Sequence, residues 1–251
     1  LTGYVIAADL IGYRSEVFIS WLSDVRREML SDGGTPQTLV STHEDRPNNW
    51  GTHAGAARIA SARYLGDDAD LAAAVRVFRG FLGDRSAYAG FQFGDPAWQA
   101  NPSKPVPINP AGSVKSGVVV DGAIVDEIRR CDCPVSSPAP KENYQWEGMQ
   151  GIVAQATLLD AAGYRNVWQW SDRAIARAVD FLYEQARYPP EGDDTFLTYL
   201  IDAGLGTDYS RGVDARSGKS IGYTDWTHAP RSAVGGATVD QPAVRLRFSE
   251  P

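Results

Sequence analysis

The chain has 251 residues, of which 43% are hydrophobic, and a formal net charge of −7. This length suits one large domain or two small ones with a substantial apolar core. The negative charge, without a basic block, gives no general attraction to nucleic acid, and no apolar run is long enough to cross a membrane. An acidic ligand remains compatible with this charge if a few arginines converge locally. The 7 Trp and 11 Tyr weakly favour a carbohydrate ligand, because aromatic faces stack on sugar rings.

The first part of the chain has the pattern of helices separated by short turns. Residues 4–11 form an apolar run, and Ser15 then predicts the N-cap of a second helix. That helix has an apolar stripe at helical spacing, formed by Val17, Phe18, Trp21, Leu22, Val25 and Met29. A third helix is predicted from about Asn49 to Tyr64. Gly66 ends it and the following aspartates begin a fourth, so we expect these two helices to pair as an antiparallel hairpin.

A proline-rich segment interrupts this pattern between residues 83 and 117. Its prolines are Pro96, Pro102, Pro105, Pro107 and Pro110. Since a loop of this length inside a compact domain is usually functional or mobile, we expect a long loop at the rim of the fold. Residues 118–130 predict a short strand-like piece followed by a helical turn.

The second half of the chain predicts another pair of helices. Tyr144 begins the first helix, and Ser171 or Asp172 caps the second. Beyond Pro189 the chain is rich in turns and shows no clear periodicity until residues 244–248. Paired helices with short turns predict an all-α fold, an α/α toroid or an incomplete part of one, in a single domain over residues 1–251.

Both cysteines lie in one tripeptide, Cys131-Asp132-Cys133. Two cysteines with no histidine nearby do not make a zinc site, so we expect neither a metal nor another cofactor. They are either two free thiols or one local disulfide, and a disulfide would place the protein outside the cytosol, secreted or periplasmic. Because the chain opens at Leu1 without an initiator methionine, we also expect that an upstream segment has been removed.

The stretch at residues 46–55, Arg-Pro-Asn-Asn-Trp-Gly-Thr-His-Ala-Gly, carries the most chemical information. Asn49 and His53 are four positions apart, so on a helix they project from the same face. An amide donor beside a group that titrates near neutrality suits chemistry on an acidic substrate. The alternative is that Asn48 or Asn49 caps the helix and His53 is a packed, hydrogen-bonded histidine.

Four segments in this order resemble the alginate-lyase superfamily of polysaccharide lyases, and in particular the glucuronan-cleaving branch of polysaccharide lyase family 38. They are Asn48–His53, Asp126–Arg130, Asn143–Glu147 and Gly222–His228. The resemblance covers most of residues 1–230. It implies an α/α toroid that cuts uronic-acid chains by β-elimination. A complete toroid has more helix pairs than this chain shows, so we expect upstream helices or a further chain to complete it.

The resemblance also implies the site residues. The catalytic set is Asn49, His53, Arg130 and Tyr144. The substrate-binding set is Asn48, Trp50, Arg129, Trp146, Trp226 and His228. In the alginate-cleaving branch the histidine directly follows the asparagine, where this chain has Trp50, so His53 is assigned from the next helical turn. Arg129 competes with Arg130 for the role of the catalytic arginine.

These residue types fit β-elimination on a uronate. Asn49, helped by His53 or Arg130, would neutralise the carboxylate and stabilise the enolate that forms when the C5 proton leaves. For β-linked glucuronate or mannuronate the C5 hydrogen and O4 lie on the same side, so Tyr144 alone can act as base and then as acid. In guluronate the C5 hydrogen and O4 lie on opposite sides, so two groups, His53 and Tyr144, would be needed. A tyrosine base predicts a rate that rises toward alkaline pH.

Two other functions are compatible with parts of the sequence. A toroidal glycoside hydrolase would need two carboxylates across the scissile bond. The available carboxylates are Asp121, Asp126, Glu127 and Glu147. A non-catalytic glycan-binding domain would use the aromatic residues alone. We expect an acidic polysaccharide as the partner, and neither nucleic acid nor a membrane.

Overall fold

The computed structural model describes residues 1–30, 37–214, 217–219, 221, 224 and 228. Over these residues the chain is mostly helical, so the predicted all-α class is confirmed. The helices are α1 (Thr2–Leu10), α2 (Glu16–Val25), α3 (Leu39–Asp45), α4 (Asn49–Leu65), α5 (Asp68–Phe81), α6 (Val125–Ile128), α7 (Tyr144–Ala161), α8 (Trp170–Asp180) and α9 (Leu197–Leu205). Two short antiparallel strands, β1 (Val114–Lys115) and β2 (Val118–Val119), form a hairpin. Among the described helices, none has the length and apolarity that a membrane span requires.

Helix α4 is the central element of the fold, because it packs against α1, α3, α5 and α7. Its closest neighbour is α7, and glycines on both helices make this approach possible. A Cβ at Gly55 would overlap the side chain of Gln155, and a Cβ at Gly151 would overlap Thr52. The α4–α7 pair is therefore packed at a separation that a larger residue at either glycine would prevent.

Local signals placed the ends of several helices correctly. The Ser15 hydroxyl accepts a hydrogen bond from the backbone N–H of Phe18 at 3.2 Å and caps α2. Gly66 ends α4 with a φ of +69°, which a glycine adopts without strain. Asp67 then accepts a hydrogen bond from the N–H of Asp70 at 3.0 Å and caps α5. The predicted α4–α5 pair is thus confirmed.

The predicted cap of the last helix pair is wrong. Ser171 and Asp172 do not cap α8; with Arg173 they form a left-handed turn with φ between 51° and 58°. Gln169 precedes the helix and makes no side-chain cap. Short polar residues such as serine and aspartate favour both caps and turns, so the residue types alone did not distinguish the two.

The apolar stripe of α2 contributes to the core only in part: Leu22 belongs to the core cluster and Phe18 and Val25 pack against it, whereas Trp21 is 45% exposed. Of the helix, only Leu22 is buried, Val17 is 81% exposed, and Met29 lies beyond the end of the helix at Val25. A helical period identifies an apolar face, and it does not say what covers that face.

Two helices were not predicted, α3 and α9. Helix α3 is short and is held by a reciprocal capping box between Thr38 and Ser41. Helix α9 is buried along its first half, so it has no polar face to produce an amphipathic period. The predicted feature at residues 244–248 lies outside the described residues.

The proline-rich segment 83–117 is irregular, as predicted, but it is anchored to the body of the protein. Trp98 is fully buried in a second hydrophobic cluster and donates a hydrogen bond to the carbonyl of Cys133 at 3.0 Å. Asn109 is also fully buried, and its amide donates to the carbonyls of Trp98 and Val120. These bonds fix the segment beside α6, which carries part of the candidate site.

Candidate active site

Asn48 is the N-cap of α4. Its side-chain oxygen accepts a hydrogen bond from the N–H of Trp50 at 3.1 Å. Its amide nitrogen donates to the Asp126 carboxylate at 3.2 Å, so the buried side chain joins α4 to α6. The structural interpretation of Asn48 as a cap is confirmed, and this cap places Asn49 at the first position of the helix.

Asn49 is held from two directions. Its backbone N–H donates to the Glu127 carboxylate, and its side-chain carbonyl accepts a hydrogen bond from Arg130 at 3.1 Å. Because the carbonyl end of the amide faces Arg130, the NH₂ end is the part that can donate to a ligand carboxylate.

Arg130 is the centre of the site. Its Nε lies 3.2 Å from a carboxylate oxygen of Glu127, and its guanidinium carbon lies 4.3 Å from the centre of the Tyr144 ring. The cation therefore stacks on the face of the aromatic ring while it donates to Asn49. Sequence segments about 80 residues apart are joined by this one side chain, and Tyr144 itself is exposed.

The competition between the two neighbouring arginines is decided by geometry. Arg129 donates to the Asp126 carboxylate at 2.6 Å and packs over Gly94, where a Cβ would overlap the guanidinium. Arg130 instead contacts Asn49 and Tyr144. Arg130 is therefore the arginine that joins the predicted catalytic residues.

The sequence offers Glu127 as a carboxylate for a hydrolase, but in the structure it lies beneath the site as a buried partner of Arg130. Its side chain is fully buried beneath the site, with Cγ only 3.3 Å from the position a Cβ would take at Gly148. Burial raises its pKa to about 8, and Arg130 and the N–H of Asn49 oppose the rise. The sequence signal was the three-residue spacing between Glu127 and Arg130 on a helical turn, which allows an ion pair.

His53 lies one turn along α4 from Asn49. Its Nε2 is 3.1 Å from the backbone carbonyl of Glu147 on α7. Since a carbonyl only accepts, Nε2 donates, and in the neutral ring the lone pair belongs to Nδ1. Burial lowers the pKa of His53, and the nearby carboxylate of Glu147 opposes this effect. The imidazole is thus neutral near pH 7 and able to accept a proton.

Beside these residues lies a cleft of about 330 Å³. It is lined by Arg46, Asn48, Trp50, Arg129 and Arg130. Three arginines therefore line one cleft in a chain whose net charge is −7. Local convergence of arginines on this scale produces a positive site for an anionic ligand.

Arg46 belongs to the site and was not assigned a role from the sequence. It lies at the end of α3, two residues before the cap of α4. The sequence signal was its position within the stretch 46–55. It lines the same cleft as Arg129 and Arg130, which only the tertiary structure shows.

Two of the predicted substrate contacts are not brought to the cleft. Trp146 is fully buried, and its indole N–H donates to the carbonyl of Tyr188 at 3.1 Å, so its prediction as a substrate contact is wrong. His228 is partly buried, its backbone N–H donates to Thr224 at 2.9 Å, and it is not among the residues that line the cleft. Trp226 lies outside the described residues.

Cys131 and Cys133 are joined by a disulfide that directly follows Arg130 in the chain. This selects the disulfide over the two free thiols. Within the described part of the chain, histidine, cysteine and carboxylate side chains form no group of three or more that could hold a metal ion.

Comparison of the chain with protein families, curated proteins and solved structures gives no match. The function is therefore argued from the geometry of the site.

Proposed function

We propose that the protein is a polysaccharide lyase that cleaves a 1,4-linked uronic-acid polymer, glucuronan or mannuronate-rich alginate, by β-elimination. The observation that carries this proposal is the contact of Arg130 with both Asn49 and Tyr144 at the edge of an arginine-lined cleft. An amide, a guanidinium and a phenol meeting at one place match the needs of the reaction: neutralisation of a carboxylate and transfer of a proton.

In the proposed reaction the uronate carboxylate binds the NH₂ group of Asn49 and the guanidinium of Arg130. Both groups stabilise the negative charge that moves onto the carboxylate when the C5 proton leaves. Donors placed at such charge contribute a few kcal/mol each to the stabilisation of a transition state. The buried carboxyl of Glu127, with an oxygen 3.2 Å from Nε of Arg130, holds the guanidinium for this purpose, so Glu127 is a positioning residue.

The base removes the C5 proton, a C4–C5 double bond forms, the C4–O4 bond breaks, and O4 receives a proton. For a β-linked glucuronate or mannuronate, Tyr144 takes the C5 proton and returns one to O4 on the same side of the ring. His53, one helical turn from Asn49, assists Asn49 at the carboxylate and is the second proton-transfer group that a guluronate would require.

We also propose an arrangement for the helix pairs. They are part of an α/α toroid that further helices, upstream or on another chain, complete. The support is the exposed apolar side chains of α1 and α2, among them Tyr4, Leu10 and Val17. The Cys131–Cys133 disulfide supports a secreted or periplasmic location.

A glycoside hydrolase is less well supported. Among the residues that line the cleft, none is an aspartate or a glutamate. The nearest carboxylates, Asp126 and Glu127, are buried and paired with arginines. A hydrolase needs two carboxylates that reach the glycosidic bond from opposite sides. A non-catalytic glycan-binding domain would use the same cleft and is separated from a lyase by the assay below.

The test is the ultraviolet absorbance of the unsaturated product during separate incubations with glucuronan, polymannuronate, polyguluronate and hyaluronan. We expect a rise on glucuronan or polymannuronate that is lost in Tyr144→Phe and retained in Tyr4→Phe, an exposed tyrosine on α1. New reducing ends without absorbance would indicate a hydrolase. Binding without any cleavage would indicate a glycan-binding domain.

A further inference from the structure

Arg46 brings a positive charge to the cleft that no carboxylate of the described residues neutralises. Arg129 pairs with Asp126, and Arg130 has the buried carboxyl of Glu127 at 3.2 Å. In the described part of the chain Arg46 forms no ion pair; its Nε donates to the neutral side-chain amide of Gln37 at 3.1 Å. An arginine in this state has donors and charge left for a ligand.

The backbone of Arg46 is fixed against the start of α4. A Cβ at Gly51 would overlap the carbonyl oxygen of Arg46, so only glycine lets the first turn of α4 lie this close. The N–H of Arg46 donates to the carbonyl of Thr42 at 3.1 Å. The backbone that carries the Arg46 side chain is therefore already held in place before a ligand binds, which reduces the entropy lost on binding.

Trp50 lies on the same wall of the cleft. Its side chain is 54% exposed although its backbone N–H is held by the Asn48 cap. An indole that the core does not bury offers a flat apolar face, and such faces pack well on sugar rings.

We propose that Arg46 and Trp50 form a second subsite, in which Arg46 binds the carboxylate of the uronate next to the sugar that loses its C5 proton. This inference rests on the proposed lyase function and narrows its substrate. Arg130 and Asn49 engage one carboxylate, and Arg46 engages another in the same cleft. The preferred substrate is then a run of consecutive uronates, not a polymer in which uronates alternate with neutral amino sugars.

The experiment compares glucuronan with glucuronan in which a fraction of the carboxyl groups has been reduced to neutral alcohols. On intact glucuronan we expect Arg46→Gln to lower kcat/KM roughly tenfold, mainly through KM, because a hydrogen bond to a charged group is lost. On the reduced polymer, we expect the kcat/KM of the wild type to fall toward that of Arg46→Gln, so that the ratio between the two proteins becomes smaller. Arg46→Lys keeps the positive charge, so its kcat/KM on intact glucuronan is expected to lie between those of the wild type and Arg46→Gln.

Arg76→Gln is the matched control, since Arg76 is exposed on α5 and does not line the cleft. Circular dichroism and thermal unfolding establish that each variant folds. If Arg46→Gln cleaves intact glucuronan as fast as the wild type, or loses the same factor on both polymers, the second subsite is overturned while the lyase function stands. If the wild type eliminates none of the polymers, the lyase function itself fails.

Discussion

Two clusters of arginines lie along α4, and they differ in how far water reaches them. In the inner cluster Arg26 and Arg58 are 2% and 3% exposed, and each lies 2.7 Å from a carboxylate oxygen of Asp70. In the cleft, Arg129 and Arg130 are 29% and 26% exposed. The same residue type forms a closed structural network in one place and an open, ligand-sized surface in the other.

The balance of charge differs in the same direction. In the inner cluster two arginines face three carboxylates, since Asp67 and Glu44 complete the network around Asp70. In the cleft three arginines face two carboxylates, and one of these, Glu127, has a pKa of about 8 and is largely protonated at neutral pH. A fully compensated buried cluster holds the fold together, whereas an undercompensated cleft attracts an anion.

Removal of the shared carboxylate from the inner cluster is expected to have the largest effect on stability. Asp70→Ala leaves Arg26 and Arg58 buried without their common partner, which costs about 3–5 kcal/mol of unfolding free energy. Urea unfolding measures this loss, and kcat per folded molecule stays unchanged. Asp208→Asn, in an exposed pair with Arg211, should change stability by no more than about 0.5 kcal/mol. A similar result for both variants would show that the inner cluster contributes no more than a surface pair.

The corresponding change in the cleft is expected to act on the rate. Arg130→Gln should lower kcat on glucuronan by about 100- to 1000-fold, since it removes a donor at the developing charge. Arg129→Gln is the paired variant, and its loss should be much smaller because Arg129 contacts Asp126 rather than Asn49. Equal losses in the two variants would contradict the central place of Arg130. Urea unfolding should show a smaller destabilisation for Arg130→Gln than for Asp70→Ala.

The buried carboxyl of Glu127 predicts a dependence of stability on pH. Its pKa is raised from 4.5 to about 8 by burial, so the folded state keeps a proton that the unfolded state releases. Its contribution is fully present below pH 4.5 and is lost as the pH rises toward 8. Wild type compared with Glu127→Gln should show this difference in urea unfolding at several pH values. Parallel curves for the two proteins would indicate that Glu127 is ionised in the fold.

The neutral state of His53 predicts the pH below which its protonation lowers kcat/KM. Because burial lowers its pKa below 6.5, protonation of His53 should reduce kcat/KM only below pH 6.5, separately from the rise toward alkaline pH that a tyrosine base gives. A pH profile on glucuronan measures this acid limb, and His53→Gln should remove it together with part of the rate. A limb at or above pH 6.5 that is present in the wild type and absent from His53→Gln would contradict a buried, neutral imidazole.

The smallest expected effect is a change in KM, and it distinguishes the exposed Trp50 from the buried Trp146. Trp50→Ala should raise KM roughly fivefold, which corresponds to about 1 kcal/mol of lost stacking, and leave stability unchanged. Trp146→Phe should lower the unfolding free energy and leave KM unchanged, because Trp146 is buried. Steady-state kinetics and thermal unfolding of both variants provide the comparison, and a KM effect at Trp146 would contradict its place in the core.

Features set by neighbours in sequence could be predicted, and features set by tertiary packing could not. The caps at Ser15 and Asn48 follow from residues within a few positions, and so does the turn at Gly66. Trp146 and Trp50 look alike in sequence, but Trp146 is on the buried side of α7 and Trp50 is exposed at the cleft. The place of Arg46 depends on how α3 approaches α4, which no local pattern encodes.

The most direct test of the proposed function is the mass of the products from a single cut of a defined glucuronate oligomer. Elimination adds no water, so the two product masses sum to the mass of the substrate, and one product carries the double bond. This is the result that a site built on Arg130, Asn49 and Tyr144 predicts. Products whose masses sum to the substrate plus one water would contradict it and would assign the cleft to a hydrolase.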